Sequence, residues 1–145
     1  MKAISLWQPH ASWVAMGWKT IETRTHDRFK SLAGRRIAVH AAQKVDTAAL
    51  LLEAFKRRMT SSLELETFMS WMMFCRGKIV CTAVASIVLW DSEVSKTVMR
   101  AELDRAAMHS TEGKYLMFLD RIEPMRKPVP YRGLHSIFEW SGGCE

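Results

Sequence analysis

Lys19, Glu22 and Arg24 cluster at the end of the stretch LWQPHASWVAMGWKTIETR, which runs from Leu6 to Arg24. Flanked by a lysine and an arginine, Glu22 is expected to stay ionised, an acceptor fixed between donors. A carboxylate so placed can accept N–H donors from the edge of a flat polar heterocycle, while the Lys and Arg hold a phosphate or a base carbonyl. Trp7, Gln8, Trp13 and Trp18 lie close by in the chain. Large apolar or amide-bearing surface solvates charges poorly but lines a ligand well. Trp7 can stack on a base, and Gln8, with both a donor and an acceptor, can finish the recognition. A lone Glu-x-Arg is more often an ion pair on a solvated strand face. The surrounding tryptophans argue against that here.

Short elements must position these groups, and each has a local cause. Pro9 suits the first position of a helix, because its missing N–H would have no partner there, so a helix is expected from near Gln8. Ala11, Val14 and Ala15 give it an apolar stripe, and Gly17 is a natural left-handed stop. From Thr20 to Thr25 the chain alternates as a strand, with Thr20, Glu22 and Arg24 on one face and Ile21 and Thr23 on the other. Glu22 and Arg24 are then roughly 6 to 7 Å apart on one side of the strand. Lys19 sits at the hinge that enters it.

Gly17-x-Lys19-x-x-Glu22-x-Arg24, preceded by Leu6-Trp7-Gln8-Pro9, resembles the signature of the ASCH domain, a small β-barrel of the PUA-like superfold. Arg35 to Lys44, RRIAVHAAQK, resembles the next strand of that family, and Gly77 to Val84 its central barrel strand. Gly113-Lys114-Tyr115 with Pro128-Val129-Pro130-x-x-Gly133 resembles the closing segment. Asp46 to Phe74 is the least typical part.

The resemblance implies a single ASCH domain over residues 1–145 that binds RNA or a modified nucleoside in a cleft. The implied ligand set is Trp7, Gln8, Lys19, Glu22 and Arg24, with His40 from the following strand. Another class stays open, because some ASCH-type proteins remove the acetyl group from N4-acetylcytidine, with a Lys and a Thr three residues later in the same frame. Here Glu22 occupies the Thr position, and a carboxylate is a weaker acyl-transfer nucleophile than an activated hydroxyl. Glu22 could instead act as a general base on water with Lys19 or Arg24 at the oxyanion, so Lys19 and Glu22 are the catalytic candidates if the chain is an enzyme. Ribonuclease activity, also known in the family, belongs to the same class. A third reading is a protein-interaction domain of the kind found in transcription coactivators, with the Met-rich segment Leu63 to Met73 as its contact surface.

Composition agrees with a globular protein. The 145 residues are 48% hydrophobic and 25% charged, ordinary usage for one folded domain. The formal net charge of +6 leans towards a polyanionic partner. Cys75, Cys81 and Cys144 show no C-x-x-C spacing and leave one thiol over in any pairing, which suits a reducing cytoplasm. The histidines fall at none of the usual ligand spacings, so neither a metal nor a cofactor is expected. Gln8, Pro9 and His10 interrupt any leader, and the apolar run Ile79 to Trp90 is too short to span a membrane.

The rest of the chain reads as α+β, with five to six strands and flanking helices. A loop is expected over Thr25 to Gly34 and a strand over Arg35 to Ala42, with Ala38 and His40 on one face. Asp46 or Thr47 can cap a helix through Leu50, Leu51, Ala54 and Phe55 that ends in Lys56, Arg57 and Arg58. Ser61 or Ser62 opens a second helix whose stripe of Leu63, Leu65, Phe68, Met69, Met72 and Met73 is expected to pack as core. GKIVCTAVASIVLW, from Gly77 to Trp90, should be the central strand, and Val98 to His109 a short helix. Pro124, Pro128 and Pro130 should interrupt the following strand and force it to an edge, and His135 to Trp140 can add a last one.

Overall fold

The computed structural model describes residues 1–142; Cys144 lies outside them. In chain order the elements are β1 (Lys2–Gln8), α1 (His10–Ala15), β2 (Ile21–Arg24), β3 (Arg35–Val45), α2 (Glu53–Lys56), α3 (Ser62–Phe74), β4 (Lys78–Trp90), α4 (Asp91–Val94), α5 (Arg100–Ala107), β5 (Tyr115–Pro130) and β6 (Ile137–Glu139). The strands form one mixed sheet in the order β2-β5-β4-β3-β1-β6, with β1 and β3 parallel and every other pair antiparallel. This is α+β, as expected. The β-branched run is indeed central, since β4 pairs with β3 on one side and β5 on the other.

The sheet does not close into a barrel. Its edge strands, β2 and β6, have four and three residues and pair only with β5 and β1 respectively. Strands this short offer too few backbone groups to close a ring, although they leave little edge for another chain to pair with. Prolines do not interrupt β5 as expected. β2 covers only Tyr115 to Phe118, so beyond that point the outer edge of β5 is unpaired and a missing N–H breaks no ladder bond there. The strand runs through Pro124 and Pro128 along that edge, with three register shifts against β4.

The basic helix expected after Asp46 is also broken. A 3-10 turn over Ala49–Leu51 and the single turn of α2 are separated by Leu52, which is extended at φ −68° and ψ 139°. Asp46 does cap this region, its Oδ1 accepting from the Ala49 N–H at 3.3 Å. α3 starts as its sequence suggests, with the Ser61 hydroxyl accepting the Glu64 N–H at 3.1 Å while Glu64 accepts the Thr60 N–H at 2.8 Å. Its core stripe is narrower than expected. Phe68 and Met72 are buried with Trp13 and Phe55, whereas Leu63, Leu65, Met73 and Phe74 are exposed.

The main core lies between the sheet and α1, where Ile4, Leu6, Val14, Val39, Val80 and Met117 pack together. Cys75 and Cys81 are buried, and burial pushes their thiols up to about 11 and about 12, so both are unreactive packing groups. No helix among the described residues is long and apolar enough to cross a membrane.

Candidate functional site

A cavity of about 1030 Å³ opens beside β2, between the ends of β1 and β3 and the segment from Tyr131 to Ser136. Ile21 packs into the apolar cluster behind and Glu22 and Arg24 line the cavity, as alternation predicts, while Thr23, expected on the opposite face, lines it as well.

Lys19 and Glu22 form the buried end of the cavity. Lys19 is 1% exposed; its Nζ donates to the Ala107 carbonyl and lies 3.9 Å from Glu22 Oε1. Burial pulls the lysine below its ordinary value against the opposing pull of Glu22. For Glu22, burial pushes the carboxyl up, but the charges of Lys19 and Arg24, with the Thr23 N–H, outweigh it and hold the group below its usual range. Oε1 accepts that N–H at 2.8 Å. Among the described residues Oε2 accepts no hydrogen bond, which leaves a fixed acceptor facing the cavity. Arg24 stands beside it, its guanidinium carbon 5.0 Å from the centre of the Phe29 ring and its Nη2 3.5 Å from the Ser5 carbonyl.

Two groups that the sequence reading did not select complete this end. His10 Nε2 lies 3.0 Å from Asp46 Oδ2. Burial, then the charge of Lys19, lowers the histidine, so the neutral ring donates its Nε2–H to the carboxylate and leaves Nδ1 as a buried lone pair with no partner among the described residues. The His10 position is visible in the sequence, but its partner is 36 residues away and only the pairing of β1 with β3 brings the two together.

The other predicted residues separate. Trp7 is at the rim, 48% exposed, with Lys44 Nζ 3.9 Å above its ring. His40 lines the cavity, bonded to Ser5 Oγ at 2.9 Å and to the Tyr131 carbonyl at 2.8 Å. Gln8 does not reach the cavity. It is fully buried, with Nε2 donating to Ser12 Oγ at 2.8 Å and to the Met72 carbonyl at 2.9 Å, and Oε1 accepting the Ser12 N–H at 3.0 Å. Its amide ties β1 to the first turn of α1 and to α3, with both N–H donors used and the group sealed from the cavity. The helix begins at His10, one residue after the Pro9 expected to start it, and the Gln8 side chain meets its Ser12 N–H. Trp13 and Trp18 are likewise withdrawn, packed against Phe55 and Phe68 under α3.

No family model matches the sequence, and no curated protein matches it either. Solved structures do. The crystal structure of ASCH from Zymomonas mobilis superposes at TM-score 0.51 and 16% identity, covering 89% of this chain and 72% of that one. Two mutant forms of the same protein superpose at TM-score 0.48, with 16% and 15% identity, over 89% of this chain and 72% and 74% of theirs. The fold assignment rests on the first of these: this chain folds as an ASCH-type domain.

Proposed function

We propose that this chain binds RNA or a modified nucleoside in the cavity, with Glu22 reading the N–H donors of a base edge. The observation that carries this reading is the free Oε2 of Glu22, a buried, ionised carboxylate whose other oxygen is already held by Thr23. Arg24 has donors to spare for a base carbonyl or a phosphate, and Trp7 offers a ring at the rim for stacking. Arg28 and Arg132 also line the cavity, and their cationic surface suits a chain of phosphates.

The same electrostatics favour recognition over Glu22-based hydrolysis. A carboxyl held below its usual range is a dependable acceptor at neutral pH but a weaker base towards water. Lys19 supports it as a buried counter-charge. Its amine is committed to the Ala107 carbonyl and to Glu22.

Calorimetric titration with a panel of nucleosides, N4-acetylcytidine among them, and with short single-stranded RNAs tests the reading, with chromatography following any cleavage. Binding is expected to weaken roughly tenfold or more in Glu22→Gln, the range for a hydrogen bond to a charged group. RNA affinity should also fall as salt rises. Unchanged binding in a folded Glu22→Gln protein, checked by thermal melting, rules out this role for the carboxylate.

A further inference from the structure

The cavity holds a second chemical arrangement, built from neutral groups. Ser5 and His40 are register partners in the parallel pairing of β1 with β3, so their side chains leave the sheet on the same side. Both line the cavity. Ser5 Oγ is 2.9 Å from His40 Nδ1, and His40 Nε2 is 2.8 Å from the Tyr131 carbonyl. A carbonyl oxygen only accepts, so the neutral ring must donate from Nε2, and its Nδ1 lone pair then accepts the Ser5 hydroxyl proton. The result is a hydroxyl, a base within hydrogen-bond reach and a third group orienting the base.

Gly133 adds a restraint. A Cβ there would lie 2.3 Å from His40 Nδ1 and 2.6 Å from Ser5 Oγ, so the returning segment packs directly on the pair and only glycine permits that approach. The imidazole is thereby held between Ser5, Tyr131 and the backbone of Gly133. Phe138 packs edge-on at 6.1 Å. Arg24 lines the same cavity, its Nη2 3.5 Å from the Ser5 backbone carbonyl.

We infer that Ser5 and His40 form an acyl-transfer centre, with Ser5 as nucleophile and His40 as general base, acting on acyl esters small enough to enter the cavity. Ser5 Oγ attacks the ester carbonyl while its proton passes to His40 Nδ1. When the C–O bond to the alcohol breaks, His40 returns that proton to the leaving oxygen. Water then gives a proton to the same nitrogen and attacks the acyl-Ser5. The acid is released and the proton goes back to Ser5 Oγ. Each cycle consumes one ester and one water and yields one acid and one alcohol.

The test uses p-nitrophenyl acetate, which has no base edge, so its outcome is independent of nucleoside binding. The purified protein is mixed with the ester, nitrophenol release is followed, and the acyl group is located by peptide mass spectrometry. A burst of nitrophenol with one acetyl group on Ser5 is expected, and Ser5→Ala should lower the rate about 100-fold or more. Ser5→Cys, which restores a nucleophile at the same position, should regain an acyl adduct at residue 5. Absence of an adduct on the native protein, or acetylation confined to lysines and unchanged in Ser5→Ala, overturns the proposal. If Ser5→Ala melts early, the adduct position in the native protein and in Ser5→Cys still decides.

Discussion

Glu22 and Leu63 each sit where their chemistry makes them expensive, the carboxylate at 5% exposure and the leucine at 71%. Buried polar groups and exposed apolar ones are the informative exceptions in a folded chain. The difference lies in what surrounds them. Glu22 has Lys19, Arg24 and the Thr23 N–H arranged to offset its burial, and a cavity in front of its free oxygen. Leu63 has nothing of the kind. It stands with Phe74 on the exposed side of α3, beside a shallow groove. An unfavourable placement that the rest of the fold compensates is evidence of function, whereas one left uncompensated is only a surface.

Substitutions break or sharpen that contrast. The largest effect is expected for Lys19→Met, which keeps much of the volume but strands the carboxylate of Glu22 without its buried counter-charge. A loss of about 3 kcal/mol in urea unfolding is expected, the low end for removing one partner of a buried ion pair. A loss below about 1 kcal/mol, the scale of exposed pairs, would show that solvent and not Lys19 stabilises Glu22.

Trp7→Ala comes next, and it acts on binding more than on the fold because half of this ring is already exposed. A loss of about 1 to 3 kcal/mol per stacked base is expected in RNA or nucleoside affinity, measured by calorimetry. Unaltered affinity would place the base elsewhere in the cavity.

Acid should then expose the site in two stages. Burial holds His10 and His40 below their ordinary 6.5, so the unfolded chain takes up protons that the folded chain refuses, and stability falls as the pH drops below 6.5. Glu22 and Asp46 lie below their ordinary 4.5 and 3.8, so the stability they contribute is present above those values and is lost as the pH falls through their folded values. Urea midpoints measured between about pH 8 and pH 3 should show both stages. A flat profile from pH 7 to pH 5 would remove the imidazoles from the account.

The smallest effect belongs to the other half of the comparison. Leu63→Ser should change stability by no more than about 0.5 kcal/mol, as for other exposed positions. A larger loss would mean that the outer face of α3 packs against something in solution.

Legibility followed the range of the interactions involved. The placement of Glu22 and Arg24 on one strand face, with Ile21 on the other, follows from alternation within four residues of β2. The central position of β4 follows from its β-branched run. The Ser61 cap of α3 is equally local. Gln8 misled because its types of donor and acceptor suit a ligand and a helix cap equally well, and only the position of Met72, 64 residues on, decides between them. The prolines of β5 misled for a similar reason: whether a missing N–H matters depends on whether another strand lies alongside.

The sequence by itself therefore determined the charged triad, the face of Glu22 and Arg24, the central place of β4 and the resemblance to an ASCH domain. Tertiary structure alone decided that Lys19 is fully buried, that His10 meets Asp46 and that Ser5 meets His40 under Gly133. Periodicity constrains neighbours along the chain, where the backbone fixes distance and direction. It carries no information about the parallel register of β1 on β3 or the return of the segment after β5, and those two non-local facts shape the cavity.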